Sequence, residues 1–389
     1  MASRTTTSSS WYIGLRACAF LSLTILDNII FVPSFLATML FLWPVRLVAP
    51  KCYWGIEGFL MRHLAMTLSL WMWLANVEVF EEGDDIVRYF EEPCLVIANH
   101  QSTADVPILV HVINALSGYC YKVMWVLDLM FRWTPFGLIC QLHGDLFIRE
   151  GKESQRYGLG DLRAQLMRKF WPRRRRWIVV FPEGGFLRKR LESSQQYAKK
   201  NGYPIYNHVI LPRTGAMQVV LETCSTSPRS NHSVNGANIE RRQQQLRYVI
   251  DVTMAYEGGR TFGLWEICTG TMAQKRVILR YRCRDISEIN DHSKEGILKY
   301  LCELWSEKEE WLKAMLEEAR CPKTGDEEVA SRRRVVIPVE CLLFSHGIMF
   351  LLSLTCVIVF GLVNIRWLSA AGCTFWLLRA LHNRWCCTA

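Results

Sequence analysis

None of the chain's 15 cysteines forms a Cys-x-x-Cys pair, and several, including Cys94, Cys341 and Cys356, lie within apolar runs. This argues against a disulfide framework and a cysteine zinc site, and for reduced thiols in a cytosolic redox environment. No Gly-x-Ser-x-Gly elbow is present, which removes that class of serine hydrolase and leaves Ser102 better used as a helix cap. The first apolar run lacks a clear small-residue cleavage site, so a retained anchor is expected there rather than a leader. Residues 5–10, rich in Ser and Thr, lack periodicity and are expected to be disordered.

What the chain does have is apolar bulk. Hydrophobic residues make up 50% of it, with 15 Trp, which is high for a soluble charged protein of 389 residues and points to a membrane. The net charge of +10 implies a surface that meets anions. Lipid headgroups, cofactor phosphates and nucleic acid all satisfy that requirement, and charge alone does not choose among them.

Residues 17–43 exceed the roughly 20 residues that cross a bilayer. Asp27, Asn28 and Pro33 interrupt them, and Asp27 needs a partner or an interfacial position, so a span and a bent half-insertion are both open. Residues 64–77, with Trp71 and Trp73, are short enough to lie among headgroups. Residues 341–363 have His346 as their only ionisable group besides cysteine, follow Arg332, Arg333 and Arg334, and are expected to span. The three arginines then place the preceding domain on the cytosolic side and the tail after Val363 in the lumen. Residues 367–378 are too short to return unaided. The terminal Cys386-Cys387-Thr388-Ala389 matches a prenyl box only superficially.

Between these segments the pattern alternates short apolar strands with helices, the mark of an α/β domain with a mixed sheet flanked by helices. Strands are expected at 94–98, 146–148, 177–181, 209–211, 247–254 and 277–281, and helices at 103–116, 159–170 and 297–316. Polar residues 222–245 read as a surface loop, where the triplet at Asn231 is a chance glycosylation match. The expected division is a membrane-anchoring part over 1–82, the α/β domain over 83–321, a linker over 322–334 and a C-terminal membrane segment over 335–389.

At the exit of the strand at 94–98 stands Asn99-His100-Gln101-Ser102-Thr103-Ala104-Asp105. Residues i and i+5 lie about 140° apart on a helix, so His100 and Asp105 meet only if His100 sits in the turn before the helix. Pro107 agrees, because proline fits the first helical turn, with Ser102 or Thr103 as the cap. An imidazole oriented by a carboxylate is suited to taking a proton from a hydroxyl, as acyl transfer requires. The bland alternative is a structural histidine beside a strand end. A second apolar strand runs into Phe181-Pro182-Glu183-Gly184-Gly185, whose glycines admit close approach of a ligand and whose carboxylate can accept from a hydroxyl. The basic runs 173–176, 188–190 and 199–200 are either solvated faces or contacts for anionic lipid or coenzyme A.

Asn-His-x4-Asp followed some 80 residues later by Phe-Pro-Glu-Gly resembles the glycerolipid acyltransferase superfamily. Gly144-Asp145-Leu146-Phe147-Ile148-Arg149-Glu150 is similar to its second block and Val209-Ile210-Leu211-Pro212-Arg213-Thr214-Gly215 to its fourth. The run from Phe181 through Gly215 looks like the acyl-CoA:lysophosphatidylglycerol acyltransferase branch. Two departures stand out: the second block ends Arg149-Glu150 where Asp-Arg is common, and Gly185-Phe186 replace Thr-Arg in the third.

The resemblance implies an endoplasmic reticulum membrane enzyme that moves a fatty acyl group from acyl-CoA, a co-substrate, to a lysophospholipid hydroxyl, with no bound cofactor or metal and no nucleic-acid partner. His100 would be the base and Asp105 its partner. Asn99, Gly144, Phe147, Arg149, Pro182, Glu183, Gly184, Gly185 and Pro212 would bind substrate, Arg149 and Glu183 meeting phosphate and glycerol. Amides at the start of the Asp105 helix are expected to hold the oxyanion. The rival readings are acylation of monoacylglycerol and a catalytically silent lipid-binding scaffold.

Overall fold

Cys94 to Ala98 are buried without exception, as a continuous apolar run inside a parallel sheet requires. The computed structural model describes residues 7–116, 119–148, 159–224, 245–271, 275–320 and 332–359. Its strands are β1 (Val77–Gly83), β2 (Cys94–Ala98), β3 (Val123–Asp128), β4 (Leu146–Ile148), β5 (Trp177–Val180), β6 (Tyr248–Tyr256), β7 (Lys275–Asp285) and β8 (Arg333–Arg334). They join one sheet in the order β4-β3-β5-β2-β6-β7-β1-β8. From β4 to β6 the strands are parallel; β7 is antiparallel to β6, and β8 to β1.

The helices are α1 (Thr7–Phe41), α2 (Trp43–Val48), α3 (Pro50–Leu74), α4 (Asp105–Ala115), α5 (Pro135–His143), α6 (Leu159–Lys169), α7 (Leu187–Asn201), α8 (Gly215–Cys224), α9 (Leu264–Thr269), α10 (Lys294–Arg320) and α11 (Val339–Val359). Strand alternation divides the core in two. Val96, Ala98 and Val179 face one way, with Ile108 of α4 and Met72 of α3. Leu95, Ile97 and Ile178 face the other, with Leu166 of α6, Leu221 of α8 and Leu301 of α10. The expected mixed α/β sheet with flanking helices is what forms.

Several sequence expectations differ from the structure, each for a physical reason. Residues 7–10, expected disordered, begin α1, which runs unbroken through Pro33. Asp27 finds its partner in the Trp71 indole, Nε1 to Oδ2 2.7 Å, with His346 Nε2 at 3.6 Å. Residues 64–77 are not a separate interfacial piece: 64–74 end the 25-residue α3, which packs against α4, α1 and α11. Residues 77–82, assigned to the membrane part, lie in β1 and join the sheet. Val209, Ile210 and Leu211 are buried without being a strand. Their amides go to side chains instead, Val209 N to Glu309 at 3.2 Å and Leu211 N to Ser194 Oγ at 2.9 Å. Arg332, Arg333 and Arg334 are not a free basic flank, since they pair with Glu82, Glu81 and Glu78 at 2.9, 2.6 and 2.8 Å. Residues 225–244, 321–331 and 360–389, which include Asn231, most of the linker and the terminal cysteines, lie outside the described residues.

Candidate active site

β5, β2 and β6 are adjacent and parallel, so their carboxyl ends open on one edge of the sheet, where α/β folds place ligands. His100 follows β2, Glu183 follows β5, and Tyr256 ends β6. Asn99 locks the first of these positions: its Oδ1 accepts from Met254 N at 2.8 Å and its Nδ2 donates to Met254 O at 3.0 Å. Gln101 Nε2 adds a bond to the same carbonyl at 3.1 Å.

His100 Nδ1 lies 2.8 Å from Asp105 Oδ2. That oxygen also accepts from Gln101 N at 2.6 Å and Ser102 N at 2.9 Å, while Tyr256 OH donates to Oδ1. Surrounded by donors, the carboxylate acts only as an acceptor, so the ring proton is assigned to Nδ1 and the Nε2 lone pair is left free. Nε2 has no protein partner among the described residues, and the side chain is 16% exposed. Phe181 stacks on the ring and Phe186 lies tilted against it, at centroid distances of 4.3 and 4.4 Å. The result is a base locked in position with one open edge. Burial beside Asp105 pushes the Tyr256 phenol well above its usual pKa, which keeps it a donor.

The expected helix cap and oxyanion donors take another form. α4 begins at Asp105 after Ala104, and Ser102 Oγ accepts from Ala104 N at 3.0 Å while donating to Phe262 O at 2.6 Å. The amides of Gln101, Ser102 and Ala104 are thus engaged by side chains, and those of Thr103 and Val106 are the donors this helix start keeps without a protein acceptor among the described residues.

Glu183 is 1% exposed, and both its oxygens face protein donors. His100 N reaches Oε2 at 3.1 Å and Trp305 Nε1 reaches Oε1 at 3.0 Å. Burial pushes its pKa up to about 8, against the pull of those donors and of Lys308, which itself pairs with Asp251 at 2.5 Å. Glu183 therefore positions the His100 backbone rather than facing glycerol. Glu183→Gln turns an NH2 toward N–H groups that the carboxylate now accepts from, those of His100, Ile210 and Trp305, which is expected to cost about 1–3 kcal/mol of stability. In kinetics kcat should fall with acceptor KM unchanged; a rise in KM alone would return Glu183 to acceptor binding.

Gly184 has φ +64°, and a Cβ on it would stand 2.9 Å from Arg213 Nη1. Arg213 N donates to Pro182 O at 2.7 Å, which draws buried Pro212 and the exposed Arg213 side chain against the turn. Arg213 has no carboxylate partner among the described residues. Gly185, at φ +150°, lies under the Arg190 side chain.

The structure thus gathers Asn99, His100, Asp105, Pro182, Glu183, Gly184, Gly185 and Pro212. Gly144 and Phe147 stand apart, since β3 and β5 separate β4 from β2. Gly144 is the left-handed cap of α5, with Arg173 packed where a side chain would go, and Phe147 is half-buried. Arg149 lies outside the described residues. Tyr256 and Trp305 were not among the expected site residues, and Arg213 stood only as a member of the fourth block; that block and a tyrosine two residues past the expected end of a strand were the available signals.

The Acyltransferase family model matches residues 76–256. Acyl-CoA:lysophosphatidylglycerol acyltransferase 1 of Homo sapiens is 30% identical over 321 residues, covering 82% of this chain and 86% of its own. Its Mus musculus counterpart is 31% identical over 324 residues, covering 82% and 87%. The Mus musculus 1-acyl-sn-glycerol-3-phosphate acyltransferase epsilon is 24% identical over 207 residues, covering 52% and 49%.

Proposed function

The chain belongs to the glycerolipid acyltransferase family, and from that premise we propose that it transfers a fatty acyl group from acyl-CoA to a hydroxyl of a lysophospholipid, lysophosphatidylglycerol first among them. The observation that carries this reading is His100, its Nδ1 held by Asp105 and its Nε2 open. Nε2 takes the acceptor's hydroxyl proton as the oxygen attacks the thioester carbonyl. Collapse of the tetrahedral species breaks the C–S bond, and the proton on Nε2 passes to the leaving thiolate, giving coenzyme A and a diacyl phospholipid. No acyl-enzyme is needed.

The start of α7 is the better-placed source of positive dipole for the oxyanion. Its first amide, Leu187 N, already donates to His100 O at 2.9 Å, and the amides of Gly185 and Phe186 just before it have no protein acceptor among the described residues. In the cell the α/β domain would face the cytosol at the endoplasmic reticulum membrane, where acyl-CoA is made available.

Arg213 supports a phosphate-bearing acceptor, since a guanidinium binds a phosphodiester with geometry as well as charge. It stands where Gly185 and Phe186 leave the third block without its arginine. Arg149 is a second candidate for the same contact. Losing one charge-assisted contact costs about 1.5–3 kcal/mol, so Arg213→Ala should raise KM for lysophosphatidylglycerol about ten- to hundredfold. KM for monoacylglycerol should stay put. Equal losses on both acceptors would mean that Arg213 does not read phosphate, and would favour the neutral acceptor.

A further inference from the structure

Trp305 and Lys308 stand three residues apart on α10, so both reach the sheet from one face of that helix. Trp305 Nε1 donates to Glu183 Oε1, and the Lys308 ammonium lies 5.1 Å from the centroid of the Trp305 ring. Lys308 is 1% exposed, and its three N–H groups have three acceptors on β6. Nζ donates to Val252 O at 2.7 Å and Thr253 Oγ1 at 3.1 Å, and meets Asp251 Oδ1 at 2.5 Å. β6 lies beside β2, whose exit carries His100. One turn of α10 thus joins the strand beside the His100 loop to the carboxylate that holds the His100 amide.

An ion pair this deep adds little net stability by itself, because the cost of drying two charges offsets their attraction. What sets this one apart is the acid next to it. Glu183 is met by three donors, His100 N, Trp305 Nε1 and Ile210 N, and all three bond best to a carboxylate; a protonated acid would turn its own O–H toward one of them. Burial opposes the charge on Glu183, and Lys308 is the charged side chain that favours it. Burial also pulls the pKa of Lys308 down, and Asp251 opposes that fall, so the aspartate helps to keep the ammonium charged. The other charges come from the remaining elements around the turn. Arg213 and Arg190 lie against Gly184 and Gly185, Arg282 of β7 opposes the Lys308 charge and pairs with Glu307, and the His100 ring is bonded to Asp105.

We propose that Lys308 is a positioning residue for acyl transfer: it is the positive charge against which Glu183 ionises, and the ionised Glu183 holds the His100 loop where the transfer needs it. Given His100 as the base, on which this role rests, the loop has two settings. With Glu183 ionised, it is held by Asp105 on the ring and by Glu183 on the backbone. With Glu183 protonated, the bond to His100 N weakens and Asp105 is left to fix Nε2 without it. The carboxylate is the active form, and burial places its pKa at about 8, so kcat rises with pH through that region. Removing the Lys308 charge moves the rise to higher pH.

The test follows two quantities on purified full-length protein from neutral to alkaline pH: kcat for lysophosphatidylglycerol, and the carboxyl C=O band in pH-difference infrared spectra. Glu183→Gln identifies the band and the limb of kcat that belong to Glu183, because both vanish in it. Lys308→Met should move band and limb together to higher pH by about one unit or more, the usual reach of a neighbouring opposite charge. At neutral pH its kcat then falls about tenfold and recovers at alkaline pH, with acceptor KM unchanged. Lys308→Met combined with Asp251→Asn leaves no buried acid unpaired and should show the same shift where the single variant folds poorly. A band and limb that stay at the wild-type pH, or a kcat lowered by one factor at every pH, would make Lys308 merely structural and overturn the proposal. The band needs no substrate, so a wild type without acyl transfer would overturn the reading of His100 while the coupling of Lys308 to Glu183 is still read from the spectrum alone.

Discussion

His100→Ala should lower the rate of acyl transfer by about 10²- to 10⁴-fold, the range over which a positioned general base contributes. The loss is chemical and not a matter of folding. His100 lies in a loop, its ring rests against Phe181 and Phe186, and the loop is held by its own backbone through Glu183 and Leu187. Alanine keeps both of those backbone bonds. The check is a rate measured on protein whose thermal transition matches the wild type. A variant that folds and still turns over at near wild-type rate would require another base.

Asp105→Asn is expected to be nearly as damaging, for a different reason. The carboxylate gathers His100 Nδ1 and the amides of Gln101 and Ser102 on one oxygen and Tyr256 on the other. An asparagine turned with its oxygen toward the loop keeps the first set and sends its NH2 to Tyr256, whose hydroxyl can reverse roles through Ser102, 2.9 Å away. The loop then survives while the negative charge that stabilises the imidazolium is gone, and turnover should fall by about 10² or more. Acceptor KM should change little, and Tyr256→Phe in the same background should restore nothing. Activity within a few fold of wild type would reduce Asp105 to an organiser of the loop.

The parts of the site legible in the sequence were those whose geometry is local. A five-residue spacing from a strand exit to the first turn of a helix fixes where His100 and Asp105 can meet, and a strand ending in Pro-Glu-Gly-Gly brings a carboxylate and two flexible positions to the same sheet edge. What escaped depends on chain segments more than 100 residues apart. Tyr256 reaches Asp105 because β6 pairs with β2, and Trp305 reaches Glu183 from α10, where helical spacing marks it only as core. β1 was hidden by its own acids, which look solvated until Tyr281 OH at 2.8 Å and Arg333 at 2.6 Å are seen to cover Glu81. Residues 209–211 have strand composition but no ladder, because Glu309 and Ser194 take the hydrogen bonds that a neighbouring strand would have supplied.

The central claim is direct transfer at His100 from acyl-CoA to a lysophospholipid. Purified full-length protein would be given labelled acyl-CoA alone, then with lysophosphatidylglycerol, while free coenzyme A and labelled lipid are followed together. The account predicts no release of coenzyme A without acceptor, and with it one labelled phosphatidylglycerol for each coenzyme A freed. A stoichiometric burst of coenzyme A in the absence of acceptor, with label retained on the protein, would contradict it.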